Sequence, residues 1–441
     1  MLTAKQERSI AYLTKILFGP KSLQAPTHEA FKVMDHSKFE GLRKLVRLTN
    51  QRSVLLTDRG LETIQLIAKH INDAQVFDGK ANYSDIYTSL RKQMANLLSE
   101  GLEPETGSEL LELVEKDILS AIKNYTFIAP IYGIRLSKIK RLTVGTMKIV
   151  PPSYELLSSL CSVESHPFDI TKIIDRQQQS QYLWMIGEEY GTPEVAKQRF
   201  TDAATYTIGA MATVSGALYS DGTARVRIGL AMSSDKAPGE GGFFHWPSDS
   251  KELSITFDHG KSHSMTVDHE LVALEEPKKF LDYAHYLYSQ RSKTKLQNSL
   301  EKAIYWYADA HKDPSPTMEF VKYWTCIESI FTAGTDEISE TISSGVAAMM
   351  VWGPTATEPE SKLITIKKEV KSLYDHRSKA LHHGHHNHVK YSEIAQLSRW
   401  AAHTILSISS LIFHNYKTQD QVNQKTAELF SKFEKATDNN H

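Results

Sequence analysis

Arg377 and His382 stand five positions apart in the stretch SLYDHRSKALHHGHHNH (372–388). From His382 onward, five of seven residues are histidine: His382, His383, His385, His386 and His388. An arginine and a histidine supply complementary chemistry. The guanidinium is permanently charged and planar, and it grips a phosphate through two nitrogens. The imidazole, with an unperturbed pKa of about 6.5, takes or gives a proton near neutral pH. Together they suit the cleavage of a phosphodiester. A base removes the proton of a neighbouring hydroxyl, an acid protonates the leaving oxygen, and a cation stabilises the crowded phosphorus between them. Other readings stand beside this one. His383, His385, His386 and His388 could collect a transition metal, since imidazole is a common ligand. No cysteine or carboxylate is interleaved, however, and a Gly- and Asn-containing segment after a helix is also an ordinary exposed loop. Such a loop, when cationic, could hold phosphates.

The element that must position this pair is a helix over SKLITIKKEVKSLYDHRSKALHHG (361–384). Ile366, Val370 and Leu373 recur at four- and three-residue spacing and form one face. Continuing the stripe by four residues reaches Arg377, and by four more Leu381. A fixed positive charge therefore sits where the pattern asks for an apolar side chain. It needs a carboxylate partner, or it lines a cleft that an anion enters. Glu328, in WTCIESIF (324–331), lies among apolar neighbours and is the candidate partner. A structural Arg–Glu tie between two helices accounts for these residues too. An imidazolium at His382, near the helix C-terminus, is also favoured by the helix dipole.

The chain of 441 residues, 41% hydrophobic and 23% charged, has the composition of a globular protein with room for two or three domains. A net charge of −1 argues against a wholesale cationic nucleic-acid binder and leaves room for a local basic patch. Cys161 and Cys326 are far apart with no CxxC spacing, which points away from a disulfide framework and a cysteine-based zinc site. The N-terminal stretch lacks the apolar core of a signal peptide, and no apolar run has the length of a membrane span. A cytoplasmic protein is the expectation.

Three regions emerge from periodicity. Residues 1–125 read as helices. Leu61, Ile64, Ile67 and Ile71 form one stripe. Ile86, Leu90, Met94 and Leu97 form a second, with Ser84 as N-cap and Gly101 at the C-terminal end. Leu110, Val114 and Leu119 form a third. Residues 126–284 read as a mixed, β-rich region. Strands are expected in TFIAPIYGIRL, RLTVGTMKIVPP, TYTIGAMATVSGALY and TARVRIGLAM, with a hairpin in ELSITFDHGKSHSMTV and a helix-like interruption around EVAKQRFTDA. PGEGG and PSDS are loops. Residues 285–441 read as helices of bundle length joined by short loops. The fold class is α+β, predominantly helical, with an all-α C-terminal bundle.

The combination around Arg377 is more specific than either residue alone. RSKALH (377–382) fits the R-x4–6-H pattern of the HEPN ribonuclease superfamily, and LYDHRSKALHHG resembles the core motif of its Apea-like branch. AIYWYADAHKDPSPTMEFVKYWTCIESIFTAG resembles the two opening helices of that branch, with Cys326 at a small-residue position and Glu328 as the acid. The resemblance covers residues of about 290–415. One departure is Gly345, where a larger and often basic residue is expected.

The resemblance implies metal-independent RNA cleavage by attack of a 2′-OH, with no cofactor and no metal. Arg377 and His382 would be catalytic. Ser378, Tyr374, Glu328 and His383 would support the site or bind substrate. The implied products are a 2′,3′-cyclic phosphate and a 5′-OH. Residues five apart on a helix differ by about 140° around its axis. The family's answer is an isologous homodimer that pools two such pairs, here through the C-terminal region. The resemblance further implies anti-phage defence or abortive infection. The substrate would be tRNA or another cellular RNA, and the N-terminal region would sense a phage-derived or nucleic-acid trigger. The alternative is an inactive HEPN module for RNA binding or dimerisation, with the function carried by the N-terminal region.

Other motifs carry less. Asp258, His259, His263, Asp268 and His269 cluster in FDHGKSHSMTVDHE, in what reads as a hairpin with polar outward positions. HEAFKVMDH (28–36) has Lys32 where an HExxH site has its second histidine. PGEGG lacks the Gly-Lys-Ser/Thr ending of a P-loop, and no GxSxG elbow is present.

Overall fold

A computed structural model describes residues 2–25, 44–49, 52–104, 106–160, 170–218, 226–231, 242–245, 254–257, 264–268, 271, 273–313, 315–332, 338–383 and 389–438, without the side chains of 242–245, 254–257, 276, 378–383, 437 and 438. The described chain is predominantly helical with several small sheets. It divides into two compact units, Met1–Phe127 with Glu188–Phe200 and Ile128–Gly187 with Thr201–His441.

The first unit contains α1 (Ala4–Leu17), α2 (Asp58–Asp73), α3 (Tyr83–Glu100) and α4 (Gly107–Ala121). It also holds an antiparallel sheet of β1 (Leu23–Gln24), β2 (Leu45–Arg47) and β3 (Ser53–Leu56), ordered β1-β3-β2. The helices bury one stripe each: Ile10 and Leu17; Ile64, Ile67 and Ile71; Ile86, Leu90 and Met94; Leu110, Val114 and Ile118. Each fully buried side chain of this kind stabilises the unit by about 1.5–3 kcal/mol before entropy is counted. Two local expectations change. Asn82, rather than Ser84, caps α3, because its side chain accepts from Asp85 N while the Asp85 carboxylate accepts from Asn82 N. Ile118, rather than Leu119, completes the α4 stripe, since a four-residue step from Val114 keeps the face and a five-residue step leaves it.

A five-stranded sheet in the order β6-β7-β8-β4-β9 falls mostly in the sequence ranges of the second unit. Its strands are β4 (Lys123–Tyr132), β6 (Leu142–Val144), β7 (Met147–Val150), β8 (Leu183–Gly191) and β9 (Gly229–Leu230). The registers Leu142↔Ile149, Val150↔Trp184 and Ile131↔Leu230 are antiparallel. Helices α5 (Tyr154–Leu160) and α6 (Ile170–Gln179) supply Leu156, Leu157, Ile170 and Ile174, which pack with Trp184 and Ile186 of the sheet.

The segment 205–218, expected as a strand, is the C-terminal part of helix α7 (Pro193–Leu218). Nearly every residue from Tyr206 to Val214 is buried, and a run apolar on all sides carries no period that separates strand from helix. Its glycines serve close packing. A Cβ at Gly209 would lie 2.8 Å from Ala308 Cβ, and one at Gly216 would overlap the Tyr307 hydroxyl.

The expected hairpin over 252–267 is also different. β11 (Ser254–Phe257) pairs with β10 (Gly242–His245), whereas β12 (Met265–Val267) pairs in parallel with β5 (Ile134–Leu136). Alternation marks residues as strands without naming their partners. The loop expected in PSDS, most of PGEGG, and the intervening residues 258–263 lie outside the described residues.

The helices that position Arg377 are α8 (Glu275–Ser289), α9 (Lys295–Lys312), α10 (Pro316–Phe331), α11 (Ile338–Trp352), α12 (Leu363–His383), α13 (Tyr391–Phe413) and α14 (Gln419–Asp438). Their core holds Leu300, Ile304, Tyr307, Phe320, Tyr323, Trp324, Ile327, Val346, Val370, Leu397 and Ile405, all fully buried. No helix among the described residues is long and apolar enough to cross a membrane.

Candidate functional site

Helix α10 begins with Ser315 as N-cap and Pro316 in the first turn, where a missing N–H costs nothing. It buries Phe320, Trp324, Ile327 and Phe331. Glu328 follows Ile327 and turns to the edge of that apolar face, where its side chain is 17% exposed. Helix α12 buries Leu363, Ile366, Val370 and Leu373. Tyr374 and Arg377, one turn apart, then carry the same helix against Glu328.

Both side chains grip that single carboxylate. The Tyr374 hydroxyl donates to Glu328 Oε1 at 3.1 Å, and Arg377 Nη2 donates to Glu328 Oε2 at 2.9 Å. The Tyr374 ring stands edge-on to Trp324, with centroids 5.2 Å apart at 84°. The Arg377 guanidinium lies 5.6 Å from the Tyr374 ring centroid. Arg377 is 23% exposed, and its Nε is buried with no hydrogen-bond partner among the described residues. One nitrogen of the fork is thus anchored, the Nε is closed off from solvent, and the exposed quarter or so of the side chain is what an incoming group could meet.

Electrostatically, Glu328 is held between opposing effects. Burial pushes its carboxyl above the ordinary range, and this outweighs the Arg377 charge and the Tyr374 hydrogen bond, which pull the other way. Tyr374 is also pushed up, by burial first and then by the neighbouring Glu328 charge. A carboxylate that stays hard to ionise beside an arginine marks a desolvated spot.

The remaining sequence-derived residues follow from α12. Ser378 directly succeeds Arg377, and positions 382 and 383 form the last two residues of the helix. Position 382 is roughly 7.5 Å along the axis from position 377. The side chains of Ser378, His382 and His383 lie outside the described residues, as do residues 384–388 of the histidine tract. Glu328, Tyr374 and Arg377 are therefore the members that the structure brings together.

Gly345 has a local reason. A Cβ there would lie 2.4–2.8 Å from the ring atoms of Phe331 on α10, so that ring occupies the place of a larger side chain. His376 Nδ1 lies 3.6 Å from Glu393 Oε1 on α13, while Glu393 Oε2 accepts from Lys390 N at 3.0 Å. A surface histidine before Arg377 offered no periodic signal for this partner.

No group of three or more His, Cys, Asp or Glu side chains among the described residues is placed to hold a metal. Asp268 instead accepts from Leu271 N at 3.0 Å. Asp258, His259, His263, His269, Cys161 and the segment HEAFKVMDH lie outside the described residues. Cys326 is wholly buried, and burial pushes its thiol far up, so it has the setting of a packing residue. Compared with known proteins, the chain matches no protein-family model, no curated protein and no solved structure.

Proposed function

We propose that the chain is a metal-independent endoribonuclease of the HEPN type, with Arg377 and His382 as its catalytic residues. The observation that carries this reading is the state of Arg377. It continues an apolar stripe, is fixed by Glu328 through one nitrogen, and stays 23% exposed, so that part of the held guanidinium can meet an anion. Such a guanidinium is preorganised for an oxyanion. His382 follows five positions later on the same helix.

In the reaction, a histidine takes the proton of a ribose 2′-OH, whose oxygen attacks the adjacent phosphorus. The guanidinium binds the non-bridging oxygens as negative charge gathers on them. The bond to the 5′-oxygen breaks, and an acid delivers a proton to it. A 2′,3′-cyclic phosphate and a 5′-OH result. One histidine from each chain of a twofold homodimer supplies the base and the acid, with the C-terminal helices as the HEPN-type bundle. The region before it restrains the nuclease until a phage-derived or nucleic-acid trigger arrives. The biological setting is anti-phage defence in the cytoplasm, with tRNA or another cellular RNA as the target. This setting rests on family analogy.

The test is expression of wild type, Arg377→Ala and His382→Ala in a bacterium, with and without phage challenge, followed by mapping of RNA 5′-OH ends. New ends are expected with wild type alone. Their absence under every trigger, or their persistence in both variants, removes the nuclease reading.

A further inference from the structure

We infer that Glu328 takes up a proton from solvent when an oxyanion binds Arg377, so that phosphodiester binding at this site is coupled to protonation of a largely buried carboxylate. The inference deepens the proposed function and rests on its reading of Arg377 as a phosphate-binding group.

The geometry supplies the coupling. Glu328 is 17% exposed, and the guanidinium that balances its charge is the group a phosphate would engage. Among the described residues, Arg377 and Tyr374, both on α12, are the charged and titratable groups that bear on Glu328. The phosphate can arrive in two ways. Where Arg377 leaves Glu328 for the phosphate, the carboxylate loses its counter-ion in a desolvated position. Where Arg377 keeps Glu328 on Nη2 and meets the phosphate with the exposed part of its guanidinium, a second negative charge comes to rest beside the first. Each outcome disfavours the ionised carboxylate. The Tyr374 hydrogen bond favours it but carries no charge to replace the guanidinium. Burial has already moved Glu328 in the direction of protonation before any ligand arrives. By linkage, a complex that binds one more proton than its free components weakens by up to about tenfold for each pH unit gained.

A suitable probe is a single-stranded oligonucleotide of 2′-O-methyl nucleotides, which presents phosphodiesters that do not titrate near neutrality and cannot be cleaved by 2′-OH attack. Its binding to the full chain is measured by calorimetry from pH 5 to 8 in pairs of buffers with different ionisation enthalpies. Protonation of imidazoles also contributes, but it is common to wild type and Glu328→Gln. The difference between the two therefore isolates Glu328. Wild type is expected to take up as much as about one proton more and to lose affinity more steeply as pH rises. An infrared difference spectrum of wild type should lose a carboxylate band and gain a carboxylic-acid C=O band on binding. This measurement needs no substituted protein. Tyr374→Phe should move the uptake to higher pH. Equal proton uptake in wild type and Glu328→Gln, with no carboxylic-acid band, overturns the inference. Undiminished binding by Arg377→Ala overturns instead the reading of Arg377 on which it rests.

Discussion

His403 gives the sharpest prediction about stability. It lies in the middle of α13, 4% exposed, and its ring nitrogens make no well-formed hydrogen bond among the described residues, with only weak approaches to the backbone of Thr355 and Ala217. Burial pushes its imidazole from the ordinary 6.5 down to about 4, and the Arg399 charge one turn earlier acts in the same direction. The backbone of Thr355 and Ala217 near the ring opposes this without reversing it. The folded chain therefore holds His403 neutral where the unfolded chain protonates it. Its effect on stability is nil above about pH 7.5 and grows as pH falls through 6.5 toward 4. At roughly 1.4 kcal/mol per pH unit of separation, the full effect is about 3 kcal/mol, of which about 2 kcal/mol is lost by pH 5. The perturbation is His403→Gln, which cannot take the proton. Urea unfolding followed by tryptophan fluorescence is a fitting assay, because all six tryptophans fall in the sequence ranges of the second unit. Between pH 7.5 and pH 5, wild type should lose about 2 kcal/mol more than the variant. Parallel pH curves for the two proteins would show that the folded state accommodates the imidazolium, and the reasoning from burial would fail.

Two further outcomes follow from packing and pairing. Gly345→Ala should destabilise the second unit by about 1–3 kcal/mol through overlap with the Phe331 ring, and adding Phe331→Leu should recover part of the loss, as read by urea midpoints. Lys322, 18% exposed, bridges Asp309 and Asp313 at 2.7 Å each. Burial works against its ammonium, but the two carboxylates prevail and raise its pKa, so its contribution persists at neutral pH and is lost only as pH rises through the raised value. Lys322→Met should therefore cost about 2 kcal/mol at pH 7, a value between exposed and buried pairs. Urea midpoints of wild type and Lys322→Met at pH 7 measure this, and equal midpoints would contradict it.

The parts legible in the sequence were those where a residue violates its own pattern. Arg377 breaks an apolar stripe and Glu328 stands among apolar neighbours, and each violation demands a partner; the structure makes them each other's, at 2.9 Å. The stripes of α2 and α3 were equally visible, because a helix with one wet face writes its period into the chain. Helix α7 was misread for the opposite reason. It is buried around most of its circumference, so its Thr, Val and Ile residues looked like strand formers while the period that would have identified a helix was erased. The partners of β11 and β12 were not legible because pairing is settled by tertiary packing, to which alternation within one strand is blind. The His376–Glu393 approach joins two polar surface positions on different helices. Nothing in either helix's own pattern required it.

The way α12 is held bears on what Arg377 can do. Among the described side chains, the apolar anchorage of the helix runs from Leu363 to Leu373. Along and beyond that point, polar contacts fix it on three sides. Lys367 and Lys371 reach Glu340 of α11 at 2.5 and 3.3 Å. Tyr374 and Arg377 reach Glu328 of α10. Glu369 accepts from Gln396 of α13 at 3.0 Å, and His376 approaches Glu393 on the same helix. An anion that competes for Arg377 disturbs one of these clamps and leaves the others in place. The guanidinium can then exchange a carboxylate oxygen for a phosphate oxygen while its Cα stays where the other contacts hold it. A site that stabilises transition-state charge gains most from such fixed placement, because little reorganisation remains to be done during the reaction. The same arrangement explains why the stripe carries arginine rather than leucine at position 377. Leucine at 377 would leave the largely buried Glu328 carboxylate without the cation that balances it, whereas arginine satisfies that carboxylate.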